Sequence, residues 1–137
     1  MSAEKRPTRR GTYALLIQLN QDITIVVGRL GTFRFPAGYY VYVGSAMGPG
    51  GLEARLARHR RREKALHWHI DYLLAHAEIV GIRTDESAER LECRWARDLL
   101  SRPGAEVVAP TMGSSDCACP SHLIYFCGEE PLSWMNL

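Results

Sequence analysis

The sequence predicts a single α/β domain of the α+β type, in which a small antiparallel β-sheet is flanked by helices. A length of 137 residues suits one domain. The content of 46% hydrophobic and 23% charged residues is typical of globular proteins and excludes wholesale disorder. Strand-like runs fill the first third of the chain and helical patterns dominate afterwards. We expect the domain to span residues 11–128, between a basic, flexible tail at 1–10 and a short tail at 129–137.

Three apolar runs predict the strands that begin the chain. Residues 12–19 form the first run, and the β-branched run 23–27 follows a short polar turn, so we expect these two strands to pair as a hairpin. Residues 29–35 are expected to form a turn. The third run, 38–44, then completes an antiparallel meander.

Helical and strand patterns alternate over the rest of the chain. Leu52 and Leu56 lie four apart on one helical face, with arginines on another. Ser87 offers an N-cap, and Pro103 and Gly104 stop the helix that follows. In order, we expect a helix over 52–64, a helix over 66–76, a strand over 78–84, a helix over 87–100 and a strand over 122–127.

The charges are unevenly distributed along the chain. Residues 1–64 carry a net charge of +8 and residues 65–137 a net charge of −6. Such separation indicates a surface for a polyanion, although a solvated basic helix has the same signature. The basic start of the chain lacks the apolar stretch of a secretory signal, and no run approaches the ~20 apolar residues that span a bilayer. We therefore expect a cytoplasmic protein with no membrane partner.

The basic residues concentrate in the first predicted helix. Six Lys or Arg residues fall within positions 55–64. Cations in such a cluster favour phosphate contacts, with an affinity that depends on salt. Nucleic acid is the expected partner, and an acidic protein partner is the alternative. The residues expected to contact nucleic acid are Arg58, Arg61, Arg62 and Lys64.

Aromatic and basic side chains at the junction of strand and helix predict a phosphodiester site. Tyr40 and Tyr42 share one face of their strand, and Arg55 and His59 lie one helical turn apart. Arginine neutralises charge on a phosphate, and a phenol or an imidazole accepts a proton from water. The competing interpretation is structural: half-buried strand tyrosines and an Arg55 that pairs with a neighbouring glutamate.

The chain resembles the GIY-YIG nuclease superfamily over residues 11 to about 127. The resemblance rests on Gly11-Thr-Tyr13 and Tyr42-Val-Gly44, followed by Ser45-Ala46, Gly51-Leu52, Arg55 and His59. The phrases Phe35-Pro-Ala-Gly-Tyr-Tyr, His67-Trp-His-Ile-Asp-Tyr-Leu73 and Gly113-Ser-Ser-Asp-Cys-Ala-Cys are similar to an uncharacterised branch of Uri-type endonucleases and domains of unknown function.

The resemblance implies a metal-dependent endonuclease that hydrolyses phosphodiester bonds, of DNA more than RNA. It implies that Tyr13 activates water, that Tyr42 lines the same pocket, and that Arg55 stabilises the pentavalent phosphate. His59 matches a further polar position of the active site. Glu92, in the middle of the third predicted helix, is expected to hold Mg²⁺ or Mn²⁺, with Glu89 as the alternative. A module that binds nucleic acid without cutting it is the alternative function.

One departure from the superfamily concerns the spacing of the two motifs. Tyr13 and Tyr42 lie 29 positions apart, wider than in the superfamily. The additional residues, 23–35, either leave the site intact or fill it.

Four cysteines pose a separate choice between buried thiols and a metal site. A cytosolic protein is not expected to hold disulfides. Cys117, Cys119 and His122, together with Cys93, are compatible with a structural zinc site, but their spacing is not a standard zinc pattern and favours buried thiols.

Overall fold

The computed structural model describes residues 9–61, 65–66, 68–87, 89–112 and 119–136. These residues form seven strands and four helices. In chain order they are β1 (Gly11–Leu19), β2 (Ile23–Val27), β3 (Gly31–Phe35), β4 (Gly38–Ala46), α1 (Gly51–Arg60), α2 (His69–Leu74), β5 (Glu78–Asp85), α3 (Glu92–Leu100), β6 (Ala105–Glu106), β7 (Leu123–Phe126) and α4 (Glu130–Trp134).

Five strands form one antiparallel sheet in the order β5-β1-β4-β7-β6. β1 lies between β4 and β5, and its side chains are almost all buried because helices cover both faces. The register pairs Tyr13 with Gly44 and Leu15 with Tyr42. The predicted fold class, an antiparallel sheet flanked by helices, is confirmed.

Alternation along β1 divides the core into two layers. Tyr13, Leu15 and Ile17 face one layer, which also contains buried side chains of α1 and α2. Ala14 and Leu16 face the opposite layer, which contains α3 and α4. The start of β1 and the end of β4 lie together at one end of the sheet. Residues of both layers therefore meet at that end.

The expected pairing of 23–27 with 12–19 is wrong, and so is the meander. β2 pairs with β3, within residues expected to form a turn, and the two make a separate sheet. Asp22 closes the base of this hairpin. Its carboxylate accepts the backbone N–H of Ala37 at 2.8 Å and pairs with Arg34. The polar turn after β1 therefore holds the next hairpin instead of linking two paired strands.

Two predicted helix boundaries are corrected. The third helix begins at Glu92, so Glu92 is its first residue and Ser87 is not its N-cap. The hydroxyl of Ser87 instead accepts the N–H of Glu89 at 3.0 Å within a turn. The second helix spans only six residues, and its start is held by Asp71, whose carboxylate accepts the N–H of Trp68 at 2.8 Å.

The expected C-terminal tail contains α4. Trp134 is buried there, and its indole N–H donates to Asp98 of α3 at 2.7 Å. The guanidinium of Arg83 lies 4.2 Å from the ring of Trp134 and 4.8 Å from the ring of Trp95. No helix in the described part of the chain is long and apolar enough to cross a membrane.

Candidate active site

A cavity of about 350 Å³ opens at the end of the sheet where β1 starts and β4 ends. Tyr13 and Tyr42 reach it from the two strands, Arg55 from α1, and Arg90 and Glu92 from the start of α3. The four groups on which the phosphodiester prediction depends, two phenols, one guanidinium and one carboxylate, therefore line a single cavity. Tyr40 is not among its lining residues and donates its hydroxyl to the carbonyl of Pro36.

Gly44 makes room for the phenol of Tyr13. The two residues face each other across β1 and β4. A Cβ atom on Gly44 would lie 2.6 Å from the Tyr13 hydroxyl oxygen and 2.7 Å from the ring carbon that carries it. Any larger residue would displace the ring. This close approach explains why the second motif has glycine at position 44, a reason that the sequence alone did not show.

The hydroxyl of Tyr13 lies 2.8 Å from Nε2 of His59. Both side chains are buried, and His59 also contacts the rings of Tyr42 and Trp68. His59 does not line the cavity but stands behind Tyr13. Its connection to the cavity is the hydrogen bond to the phenol of Tyr13.

Both phenols of the cavity are neutral near physiological pH. Burial raises the pKa of Tyr13 to about 12, against the opposing effect of the positive charge of Arg55. Burial also raises the pKa of Tyr42 well above its ordinary value. Neither residue is a tyrosinate before reaction. If the hydroxyl oxygen of Tyr13 accepts a proton, it must therefore release its own proton to another group.

Arg55 is held in place by two contacts. Its Nη1 donates to the carbonyl oxygen of Ser45 at 3.0 Å, and its guanidinium lies 4.5 Å from the centre of the Trp68 ring. The alternative in which Arg55 pairs with Glu53 does not hold, because Glu53 pairs with Arg9. The other candidate partner, Glu63, lies outside the described residues.

Glu92 rather than Glu89 reaches the cavity. Glu92 is the one carboxylate among the described residues that line it, whereas Glu89 is exposed and pairs with Arg94 at 3.4 Å. The start of α3 is fixed by Thr12, whose buried hydroxyl accepts the N–H of Leu91 at 3.0 Å. A single carboxylate fits Mg²⁺, which binds few protein oxygens and keeps waters and substrate phosphate as its other ligands.

The comparison with family models decides the family. The model described as Domain of unknown function DUF123 matches residues 12–135, a range that includes Tyr13, Tyr42, Glu92 and α4. The chain belongs to the DUF123 family. No curated protein and no solved structure matches it.

Residues 23–35, which separate the two tyrosines, leave the cavity of this DUF123 domain open. No residue from 23–35 lines it. The β2–β3 hairpin packs instead against the layer that contains α2, where Val27 and Phe35 are buried. The wide spacing between the two tyrosines is therefore accommodated away from the site.

The residues of the first predicted helix that we expected to contact nucleic acid differ in their surroundings. Arg58 donates to both carboxylate oxygens of the fully buried Asp71, at 3.0 Å each, and its guanidinium lies over Trp68. This geometry gives Arg58 a structural role in the DUF123 domain, and its phosphate contact stays a prediction. Arg61 is exposed, and Arg62 and Lys64 lie outside the described residues.

A second cavity, of about 280 Å³, lies on the other side of His59. His59, Arg60 and Arg61 line it together with residues at the end of α2 and the start of β5. It shares no described lining residue with the first cavity. The Tyr13–His59 hydrogen bond thus links the two cavities through the layer between them.

Two cysteines and one histidine lie together at the wall of the first cavity. Cys93 and His122 line it, and Cys119 lies beside them. Cys117, expected in the same group, lies outside the described residues. The structure therefore brings together Cys93, Cys119 and His122, from segments that are 26 or more positions apart.

Proposed function

We propose that this DUF123 domain is a metal-dependent endonuclease of the GIY-YIG type that hydrolyses phosphodiester bonds of DNA. One observation carries the proposal: Tyr13, Tyr42, Arg55 and Glu92 line the same cavity. These side chains come from four elements, β1, β4, α1 and α3, and span 80 positions of the chain. Their convergence fits the role that the resemblance assigns to each of them.

The charges of the cavity suit a phosphodiester. Arg55 and Arg90 supply two cations beside the single carboxylate of Glu92. The contacts of Arg55 with Ser45 and Trp68 orient its guanidinium before substrate arrives. A preoriented cation stabilises the charge that develops on the phosphate without reorganising during the reaction. Arg90 lines the cavity and is exposed, so in this proposal its guanidinium contacts the phosphate backbone.

Proton transfer runs through Tyr13 and His59. Water attacks phosphorus and gives a proton to the hydroxyl oxygen of Tyr13, while Tyr13 passes its own proton to Nε2 of His59, a step that uses the tautomer with its hydrogen on Nδ1. The bond from phosphorus to the leaving sugar oxygen breaks, and that oxygen takes a proton from solvent. The exchange keeps Tyr13 neutral throughout, as its pKa of about 12 requires.

Glu92 is the residue that would hold the divalent cation. When bound, Mg²⁺ supplies charge stabilisation for the phosphate oxygens. Glu92 is the first residue of α3. The hydrogen bond from the backbone N–H of Leu91 to the hydroxyl of Thr12 holds this end of the helix against β1. The carboxylate is therefore held at a fixed place relative to the phenol of Tyr13.

The test is a cleavage assay with supercoiled plasmid and with labelled single-stranded, duplex and branched DNA, each with Mg²⁺ and with a chelator. We expect Arg55→Ala and Glu92→Gln to lower the rate by about 100-fold or more, the range of lost charge stabilisation in a preorganised site. The matched controls are Arg97→Ala and Glu89→Gln, which alter exposed residues of the same types outside the cavity.

The outcomes separate cleavage from binding. Cleavage by wild type that both cavity variants lose and both controls keep supports the proposal. A protein that shifts labelled DNA but cuts none of these substrates is a binding module, and the nuclease proposal fails. Equal loss in Glu89→Gln and Glu92→Gln contradicts the assignment of the carboxylate.

A further inference from the structure

Three side chains with soft or nitrogen donors converge beside α3. Cys93 lies in the first turn of α3, and Cys119 and His122 precede β7. Their ligand atoms, two sulfurs and one imidazole nitrogen, all lie within 4.8 Å of one another. The Sγ atom of Cys93 is 3.7 Å from Nε2 of His122.

The separation between Cys93 and His122 matches that between two ligands of one tetrahedral zinc ion. With a zinc–sulfur distance of about 2.3 Å and a zinc–nitrogen distance of about 2.0 Å, a tetrahedral site separates sulfur from nitrogen by about 3.5 Å and two sulfurs by about 3.8 Å. The measured sulfur–nitrogen separation of 3.7 Å agrees closely with the first value.

The backbone places these ligands before any ion binds. The N–H of His122 donates to the carbonyl of Met112 at 2.8 Å, and its own carbonyl accepts the N–H of Val43 at 2.9 Å. Cys93 is positioned by the start of α3, which Thr12 anchors. Cys119 and His122 are also largely buried, at 7% and 5% exposure. Prepositioned ligands lose little conformational freedom on binding a metal.

We propose that Cys93, Cys119 and His122 bind a Zn²⁺ ion. Thiolate and imidazole donors select zinc over Mg²⁺, which prefers oxygen. The site is therefore distinct in chemistry from the carboxylate of Glu92, although Cys93 follows Glu92 in the chain. Bound zinc ties the segment before β7 to the start of α3. This inference does not depend on the proposed nuclease activity.

The first experiment measures metal in the purified protein. Wild type and variants are reduced, reconstituted with Zn²⁺, freed of excess ion and analysed for metal by mass spectrometry, with no nucleic acid present. We expect one zinc per chain in wild type, and loss of that zinc in Cys93→Ser, Cys119→Ser and His122→Gln. Cys127→Ser is the matched control, because Cys127 is exposed and outside the cluster, and it keeps its zinc.

A second experiment uses wild type alone, so it does not depend on the folding of variants. The zinc-loaded and chelator-treated proteins are alkylated with N-ethylmaleimide, and the modified cysteines are mapped. Zinc protects Cys93 and Cys119, and chelation makes them reactive, while Cys127 reacts in both samples. Wild type that takes up no zinc, variants that keep it, or equal labelling of Cys93 and Cys119 in the two samples overturns the proposal. A Cys93–Cys119 disulfide in the reconstituted protein also overturns it.

Discussion

Replacing Tyr13 by Phe tests the buried phenol that the cavity depends on. The substitution keeps the ring, which packs opposite Gly44, and removes only the hydroxyl that bonds His59. At neutral pH the variant loses one buried hydrogen bond. We expect its free energy of unfolding to fall by about 1–2 kcal/mol, the range for such a bond.

At alkaline pH the sign of this difference reverses. The pKa of Tyr13 is about 12 in the folded protein, against an ordinary value of 10.0. Because the unfolded chain releases this proton first, the contribution of Tyr13 is complete below about pH 10 and is lost as the pH rises to about 12. Two pKa units correspond to about 3 kcal/mol. Wild type therefore loses about 3 kcal/mol that the variant does not lose, and the variant becomes the more stable protein.

Urea unfolding of both proteins across this pH range provides the assay. The other tyrosines titrate in both proteins, so their effects cancel in the difference between wild type and variant, except at Tyr42, whose pKa is raised by burial and also by the neighbouring Tyr13. Already near pH 11 the difference shrinks by about 1 kcal/mol. A difference in unfolding free energy that stays constant from neutral pH to about pH 11 would show that burial does not raise the pKa of Tyr13.

Two further substitutions test the support of the site. Arg58→Ala leaves the carboxylate of Asp71 buried without its bidentate cation, so it should lower the free energy of unfolding by about 3–5 kcal/mol. Arg61→Ala, on the exposed side, should change it by less than about 0.5 kcal/mol, and equal effects in urea unfolding would contradict the structural role of Arg58. Gly44→Ala should cost about 1–3 kcal/mol, because the added Cβ meets the Tyr13 phenol. Gly48→Ala adds a Cβ with nothing within 4 Å, and a similar loss of thermal stability in both glycine variants would refute the steric argument.

The sequence predicted where the strands lie more accurately than it predicted which strands pair. The apolar runs at 12–19, 23–27 and 38–44 correspond to β1, β2 and β4. The pairing of β2 depends on Asp22, whose contacts with residues 34 and 37 are made only after the chain has turned back. β3 does show a strand signal, since Phe33 and Phe35 alternate with the exposed Thr32 and Arg34. That alternation covers too few residues to outweigh the flanking glycines and proline.

Of the residues that line the cavity, the sequence predicted those that the family resemblance identifies. The resemblance pointed to Tyr13, Tyr42, Arg55 and Glu92, and the structure brings all four together. The support from Thr12 was not predictable, because a hydrogen bond between residues 79 positions apart depends on how α3 packs against β1. The position of Arg90 in the cavity lining was not predictable for the same reason. The ion pair between Arg58 and Asp71 was not predictable either, because nothing in the sequence distinguishes Arg58 from the neighbouring arginines.

The hydrogen bond between Tyr13 and His59 has a consequence for how the protein exchanges protons with bulk solvent. On the proposed chemistry, DNA occupies one cavity while the imidazole borders the other. The Nδ1 atom of His59 is itself buried, so on this route a proton reaches the solvent of the second cavity only when the side chains around the imidazole move, and the DNA remains bound in the first cavity meanwhile. On the proposed chemistry, the phenol–imidazole pair then regains its starting protonation independently of product release, before a cleaved strand leaves.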